Sequence, residues 1–382
     1  MILHAEEDDD LRRRHNRKVM IIVNAATNLA NFRDEIIEEL LAEQYEVIIV
    51  SPAGKRLTPY KEKHGCKVVE IAVNRHGKNP IQEMALFMKY FRVMKKYRPI
   101  CVLTYTIKPN IYGGMAARFL RIPYIVNITG LGVVFDNKNM LQKTIVMLYR
   151  RVMKHATCVF FQNKTNRSTF IRLGIDFPCS EIIPGSGVNL EVNALEDYPD
   201  ENESLRFLFV ARIMKDKGIN EYVNAARIIH KQYPNVEFHV IGNCEFGYEK
   251  KVSEWAEKGD IIYHGAQPDV HAFMKKSHAL IHPSFYMEGM SNVCLEAAAT
   301  GRPVLTTNWL GCKETVDDGK TGYIFEPHNV TSLVNTIKKF INLPYSEKIA
   351  MGEQGRKKME REYDRQLVVD AYMREINRLA VY

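Results

Sequence analysis

Two carboxylates, Glu288 and Glu296, stand eight positions apart, with seven residues between them, within the string FYMEGMSNVCLEAAATGRP over residues 285–303. A strand pattern precedes this string at 279–282 and another follows at 303–306, and the spacing predicts a short helix over about 292–300. Ser291 is the expected N-cap and Gly301 the expected stop. Gly289 permits close backbone approach by a ligand. The backbone N–H groups of Gly289, Met290, Ser291 and Asn292 then point out of a helix N-terminus, a ready site for phosphate or sugar oxygens. Each carboxylate can accept hydrogen bonds from the vicinal hydroxyls of a sugar or a ribose.

The second chemically loaded segment is FVARIMKDKG over residues 209–218. A strand runs there into a loop carrying Arg212, Lys215 and Lys217, with a helix to follow. Cations at the C-terminal end of a strand suit a diphosphate, which Arg engages bidentately and Lys as a point charge. No D-x-D and no His/Asp pair stands beside these segments, so no metal is expected and the cations take a metal ion's place. His64, His76, His155 and His239 have no motif around them.

These loops need strand–helix units to hold them, and the chain supplies two series. From Lys18, strand-like runs at 19–23, 46–50, 100–104, 124–128 and 159–162 alternate with helical spacing, as at 31–43. A second series has strands at 205–210, 236–241, 261–264, 279–282, 303–306 and 323–325. Apolar strands alternating with helices imply parallel sheets covered on both faces. The expected fold is α/β, two doubly wound Rossmann-like domains with a ligand crevice between their strand C-terminal ends. The expected division is a leader over 1–17, a first domain over 18–190, a linker-like stretch at 193–204, a second domain over 191–364, and a C-terminal helix over 365–382 with the option of returning to the first domain.

Bulk properties set limits. The 382 residues fit two or three domains. No apolar run reaches the length of a membrane span, and no signal peptide pattern opens the chain. Seven widely spaced cysteines with no C-x-x-C argue against a disulfide framework or zinc site and for a reducing compartment. Residues 1–190 hold 29 Lys and Arg against 17 Asp and Glu, a net +12, while the remainder is −4. A basic first half over an acidic second half implies an anionic partner for the first.

Together these segments resemble family 4 of the retaining GT-B glycosyltransferases, over nearly the whole chain from residue 18. The resemblance implies that Glu288 approaches the donor sugar, Glu296 binds the nucleotide ribose, and Arg212 and Lys217 neutralise the donor diphosphate. It also implies that Gly289, Met290, Ser291 and Asn292 hold sugar and phosphate. The segment HGAQPDV at 264–270, with Gly265 and Gln267, is similar to the part that lines the nucleobase pocket. The string NITGLG at 127–132, with Phe135, and Asn31-Phe-Arg33 resemble a subset that extends bacterial polyprenyl-diphosphate-linked glycans from UDP-linked N-acetylhexosamines or hexoses. Asn31, Arg33, Thr129 and Gly130 are then acceptor-side residues. Two departures stand out: many members have a Gly-Gly loop where this chain reads Asn24-Ala-Ala-Thr-Asn28, and a His where Thr129 stands. The resemblance implies a metal-independent hexosyltransferase whose leaving phosphate oxygen takes the acceptor proton.

Two basic amphipathic stretches bear on the acceptor. In 84–98, Met84, Phe87, Met88, Phe91 and Met94 alternate with Lys89, Arg92, Lys95, Lys96 and Arg98. In 138–154, Met140, Leu141, Ile145, Leu148 and Val152 accompany Lys138, Lys143, Arg150, Arg151 and Lys154. Such helices can lie on an anionic bilayer, or their apolar stripes pack on the sheet and the cations are solvated; the charge asymmetry favours the first, and the expected place is the cytoplasm, peripheral on the inner face of the plasma membrane. Four rival readings are a dinucleotide oxidoreductase, a nucleic-acid binder, a non-catalytic nucleotide-sugar binder and a GT-B transferase with a soluble acceptor. The first lacks G-x-G-x-x-G after a strand. The second lacks an aromatic–basic recognition motif, so no nucleic acid is expected. The third is disfavoured by the complete Glu288, Glu296, Arg212 and Lys217 set.

Overall fold

The computed structural model describes residues 17–380 except 63, 75, 76, 78, 132–134, 136–139 and 246, and of Asn28 the backbone alone. Nearly all of the expected leader, and with it His76, Gly132 and Lys138, lie outside the described residues. The chain divides into two units: one runs up to Ser186 and takes in the segment from Gln366, the other is Gly187–Arg365.

The first unit is built on a seven-stranded, wholly parallel sheet of order β3-β2-β1-β4-β5-β6-β7. Its strands are β1 (Lys18–Ile22), β2 (Glu46–Ser51), β3 (Lys67–Glu70), β4 (Cys101–Tyr105), β5 (Tyr124–Ile128), β6 (Cys158–Phe161) and β7 (Ser180–Ile182). Every residue of β4, β5 and β6 is buried, the mark of strands covered on both faces. Helix Arg365–Ala380 belongs to this unit from Gln366 on. Val368, Val369, Tyr372 and Ile376 from it share a core with Val19, Ile21, Tyr105 and Phe160, and Asn127 Nδ2 donates to Tyr372 Oη at 2.6 Å.

The helix expected over 31–43 is two helices, Ala26–Phe32 and Asp34–Ala42, broken at Arg33 (φ −139°, ψ 5°). The break accompanies a buried guanidinium. Arg33 Nη1 donates to Ser186 Oγ at 3.1 Å and the group lies 4.3 Å over the Tyr105 ring. A side chain drawn inward at that point outweighs the local helical spacing. The loop after β1 is therefore short, because Ala26 and Thr27 are already helical.

The second unit has a six-stranded parallel sheet of order β10-β9-β8-β11-β12-β13. The strands are β8 (Arg206–Val210), β9 (Glu237–Ile241), β10 (Ile262–Tyr263), β11 (Ala279–His282), β12 (Val304–Thr307) and β13 (Gly322–Phe325). Its order reverses between β8 and β11, and such a reversal opens a crevice at the strand C-terminal ends. Residues 193–204 are not a free linker. Arg302 Nη1 donates to Glu196 O at 3.0 Å, Arg302 Nη2 to Asp197 O at 2.7 Å and Tyr198 Oη to His278 O at 2.8 Å, tying the stretch onto this unit. No described helix is long and apolar enough to cross a membrane.

Candidate functional site

Both chemically loaded loops leave the two strands that flank the reversal in the second unit. β8 runs into 211–218 and then helix Ile219–His230; β11 runs into 283–291 and then helix Asn292–Ala299. The loops are stitched together, with Phe285 N donating to Asp216 O at 2.9 Å. Gly218 marks the closest approach. Its φ is +77°, and a Cβ there would stand 2.1 Å from the carbonyl oxygen of Pro283, which only glycine avoids.

This packing brings Lys217 and Glu288 together. The Lys217 ammonium donates to Glu288 Oε1 with both side chains largely out of water. Burial pushes Lys217 down from its ordinary 10.5 to about 8. Tyr286 lies between the cations, its ring 5.0 Å from Lys217 Nζ and 5.5 Å from the Arg212 guanidinium. Arg212 is half exposed and pairs with Glu245. Three of the sequence-derived residues, Arg212, Lys217 and Glu288, thus form one cluster at the reversal point.

Ser291 stands before its helix with extended backbone, but its hydroxyl does not cap it. The Oγ instead meets His282 Nε2 at 3.1 Å, and the Ser291 N–H donates to Gly311 O at 2.7 Å. The hydroxyl expected to accept from the helix and the N–H expected to donate to a ligand are therefore both engaged within the protein. His282 takes the hydroxyl because it is a buried imidazole at the end of β11. Burial first, and the nearby Lys217 second, hold it neutral, well below its ordinary range. At the other end the helix stops as expected. Gly301 N donates to Ala298 O at 3.1 Å and Arg302 N to Ala297 O at 2.8 Å, with Gly301 at φ +78°, the paired bonds of a Schellman motif.

Glu296 lies in the second turn of this helix. Its carboxylate has no hydrogen-bond or ion-pair partner among the described residues, and burial raises its pKa, opposed by Arg365. Asn292 Oδ1 and Trp309 Nε1 are also buried without a hydrogen-bond partner among the described residues. Native proteins rarely leave such groups unanswered without a functional reason. Gly289 and Met290 are buried in the loop. Gly265 (φ +69°) and Gln267 follow β10, two strands from β8. Gly265 O accepts from Gly242 N at 2.9 Å, and Gln267 Nε2 donates to His264 O at 2.5 Å.

In the first unit, Asn31 is exposed and accepts from Arg56, whereas Arg33 is buried as described. Thr129 and Gly130 are half-buried directly after β5. Asn110 Oδ1 and Asn127 Oδ1 are buried there without hydrogen-bond partners among the described residues. Among the described residues one trio has metal-ligand spacing: Cys158, Cys179 and Glu375 of the first unit, with the two sulfurs 2.9 Å apart. It is no part of the Lys217 cluster. Sequence reasoning passed over Tyr286 and His282. The signal for His282 was its place at the end of a central strand, and for Tyr286 its place two residues before Glu288.

Comparison with known proteins agrees with this architecture. A family model described as Glycosyl transferase 4-like matches residues 18–163, and one described as Glycosyl transferases group 1 matches residues 195–358. The Staphylococcus aureus capsular polysaccharide biosynthesis glycosyltransferase CapM is 26% identical over 371 residues, 92% of this chain and 95% of that one. The N,N'-diacetylbacillosaminyl-diphospho-undecaprenol alpha-1,3-N-acetylgalactosaminyltransferase of Campylobacter jejuni is 22% identical, covering 95% of this chain and 99% of its own. An Escherichia coli UDP-Gal:alpha-D-GlcNAc-diphosphoundecaprenol alpha-1,3-galactosyltransferase is 24% identical over 78% of this chain and 81% of its own. Among solved structures, a glycosyltransferase from Rickettsia africae superposes with a TM-score of 0.78 at 18% identity, covering 95% of this chain and 98% of that one. Anabaena Alr3699/HepE in complex with UDP superposes with a TM-score of 0.76 at 16% identity, covering 94% and 99%. The chain is a glycosyltransferase and belongs to the GT-B, family 4-like glycosyltransferases.

Proposed function

We propose that this protein is a retaining, metal-independent hexosyltransferase. It moves an N-acetylhexosamine or hexose from a UDP-sugar to a polyprenyl-diphosphate-linked glycan, working as a peripheral protein on the anionic inner face of the plasma membrane. The observation that carries the reading is the Lys217–Glu288–Tyr286–Arg212 cluster at the reversal point of the second unit. The acceptor class is taken from the relatives, two of which carry undecaprenol diphosphate in their names.

In this reading 18–190 handles the acceptor and 191–364 the donor. Lys217 and Arg212 face the donor diphosphate, and Glu288 lies beside the sugar. Glu296 accepts from the ribose hydroxyls, which answers its lack of a protein partner. Gly289, Met290, Ser291 and Asn292 flank the sugar and phosphate, and Gly265 and Gln267 the base. The bond from the anomeric carbon to the UDP oxygen breaks as the bond to the acceptor oxygen forms on the same face. The acceptor proton passes to the leaving phosphate oxygen. The cations lower the barrier by stabilising the charge that develops on UDP. Both carboxylates of the cluster are paired with cations, Glu288 with Lys217 and Glu245 with Arg212. That leaves little ligand charge for a divalent ion.

The test is UDP release from UDP-GalNAc, UDP-GlcNAc and UDP-galactose, in that order of expectation, with an undecaprenyl-diphosphate-linked sugar as acceptor. The product's anomeric configuration is read by NMR. Acceptor-dependent UDP release with retained configuration supports the reading. Tight UDP binding with no release on any acceptor makes the protein a nucleotide-sugar binder, and an inverted product removes the mechanism.

A further inference from the structure

Cys158 opens β6 and Cys179 stands immediately before β7, both at the strand N-terminal edge of the first sheet. That edge is opposite the one where such folds hold ligands. Val159 pairs with Ser180, and Val159 N donates to Cys179 O at 3.1 Å, so the two cysteines face each other across neighbouring parallel strands. Adjacent strands run about 4.8 Å apart, inside the Cα separation of roughly 4.4–6.8 Å that a disulfide spans. The sulfurs themselves are 2.9 Å apart, close enough for one thiol to donate to the other. Cys158 is fully buried, whereas Cys179 is half-buried. Glu375, on helix Arg365–Ala380, is also buried and brings a carboxylate oxygen within 4.8 Å of both sulfurs.

Such a trio suits either a soft metal ion or a bond between the sulfurs. Zinc holds thiolates at about 2.3 Å, which sets two of them about 3.8 Å apart in a tetrahedral shell. The pair is already closer than that, and no fourth ligand of metal-binding type joins the trio among the described residues. Glu375 is engaged as well, by Arg378 at 3.2 Å. A metal ion would require both sulfurs as thiolates. Burial first, then the Cys179 sulfur and the Glu375 carboxylate, hold the Cys158 thiol protonated well above its ordinary range. A disulfide is neutral and needs no such charge. We propose that Cys158 and Cys179 form a reversible disulfide, a thiol pair that responds to low-molecular-weight disulfides and fastens the edge strand β7 to β6. The half-buried Cys179 reacts first. Its thiolate attacks one sulfur of the small disulfide R–S–S–R, forming a Cys179–S–S–R bond and releasing a thiolate RS⁻, which takes up a proton. Cys158 gives its proton to the Glu375 carboxylate, attacks the Cys179 sulfur and expels the second RS⁻, which carries that proton away. Two protein thiols are oxidised, and one small disulfide is reduced to two thiols. β7 has three residues and pairs with β6 alone, so the bond ties down the last strand before the chain leaves the first unit at Ser186.

The experiment takes the full chain through glutathione buffers of rising disulfide content, quenches in acid, caps free thiols with N-ethylmaleimide and digests with trypsin without reduction. Trypsin cuts at Lys164, Arg167 and Arg172, between the two cysteines, so the bond appears in mass spectrometry as two joined peptides. Cys158–Cys179 is expected to be the first pair to form and to return to thiols with dithiothreitol. The oxidised chain is expected to melt at least about 3 °C higher, because the bond restrains the unfolded state. Cys158→Ser stops the reaction at a lasting glutathione adduct on Cys179, and Cys179→Ser leaves Cys158 an unmodified thiol. Where Cys158→Ser does not fold, the unaltered chain and Cys179→Ser, at the half-buried position, decide between them. Both thiols still free in glutathione disulfide alone overturn the proposal. So does a bond elsewhere that forms at lower oxidant, or an adduct on Cys179 of the unaltered chain that never resolves. A bond that forms with Tm unchanged overturns the fastening of β7. Zinc titration of the reduced chain tests the rival: one zinc bound per chain and lost in Cys179→Ser, with no disulfide formed, makes the trio a metal site instead.

Discussion

The two sheets share one strand order over six strands, 3-2-1-4-5-6 in each unit's own count, and both reverse between the first and fourth strand. The loops that leave those central strands differ. In the second unit the loops after β8 and β11 carry charge into partly dry surroundings: Lys217 against Glu288, Arg212 beside Tyr286, neutral His282 beneath. In the first unit the short segment after β1 is made of small residues and turns straight into a helix. A buried cation nearby, Arg33, is used up by Tyr105 and Ser186. Much of the positive charge of that unit sits instead on exposed residues of its helices, such as Lys89, Lys95, Lys143 and Arg150. The same topology thus holds a compact, partly dry cluster of paired charges in one unit and a broad basic surface in the other. Topology fixes where ligands sit, and the residues at the strand ends fix which ones.

The sharpest way to break that contrast is Lys217→Ala. If the cluster stabilises a departing diphosphate, kcat falls about a hundredfold, about 2.7 kcal/mol of barrier, with UDP still bound. A loss under tenfold in steady-state turnover takes Lys217 out of the reaction. The same ammonium sets the alkaline limb. Its free-enzyme pKa is held down to about 8 by burial, and the reaction needs it charged. So kcat/KM is flat through neutrality and falls with unit slope above about pH 8. The limb for kcat lies higher, because a bound diphosphate favours the proton. Lys217→Arg moves the limb out of range; a limb left in place belongs to another group.

Glu296→Gln is the next largest effect and separates function from folding. Glu296 is half-buried, its carboxylate has no hydrogen-bond or ion-pair partner among the described residues, and desolvation raises its pKa. Its charge is therefore a cost to the fold rather than a support. The amide is expected to leave Tm unchanged or raise it, while KM for the UDP-sugar increases about tenfold, about 1.4 kcal/mol of ribose hydrogen bonding. A lowered Tm with unaltered KM makes Glu296 a structural residue.

How much of this was legible beforehand depended on the kind of signal. Continuous apolar runs such as 124–128 and 279–282 match β5 and β11 residue for residue, because strands buried on both faces leave no alternation to misread. β3 and β7 carried no such signal. They are short edge strands, KVVE and SEI, with no fully buried position. The break at Arg33 was invisible because its cause, Tyr105 and Ser186, lies far along the chain. At the candidate site, the residue types and the strand-end placement of Arg212, Lys217 and Glu288 were readable. Their pairing, the diversion of the Ser291 hydroxyl to His282 and the isolation of Glu296 were not. Each depends on how loops from two neighbouring strands pack, which spacing along one strand cannot express.

The smallest effect is expected from EDTA. Transfer in excess chelator should stay within about twofold of the untreated rate, since fixed cations already supply the charge that a divalent ion would otherwise bring. Arg212→Ala sharpens this. The remaining Glu245, freed from its ion pair, adds negative charge beside the diphosphate and creates the one setting at this site in which added magnesium should help. Magnesium stimulation confined to Arg212→Ala, measured as initial rates with and without the ion, identifies the guanidinium as the stand-in for a metal. Equal stimulation of the parent protein, or activity lost in EDTA and restored by manganese, means that the second unit uses a metal ion after all, and the contrast in charge between the two sheets then rests on the first unit alone.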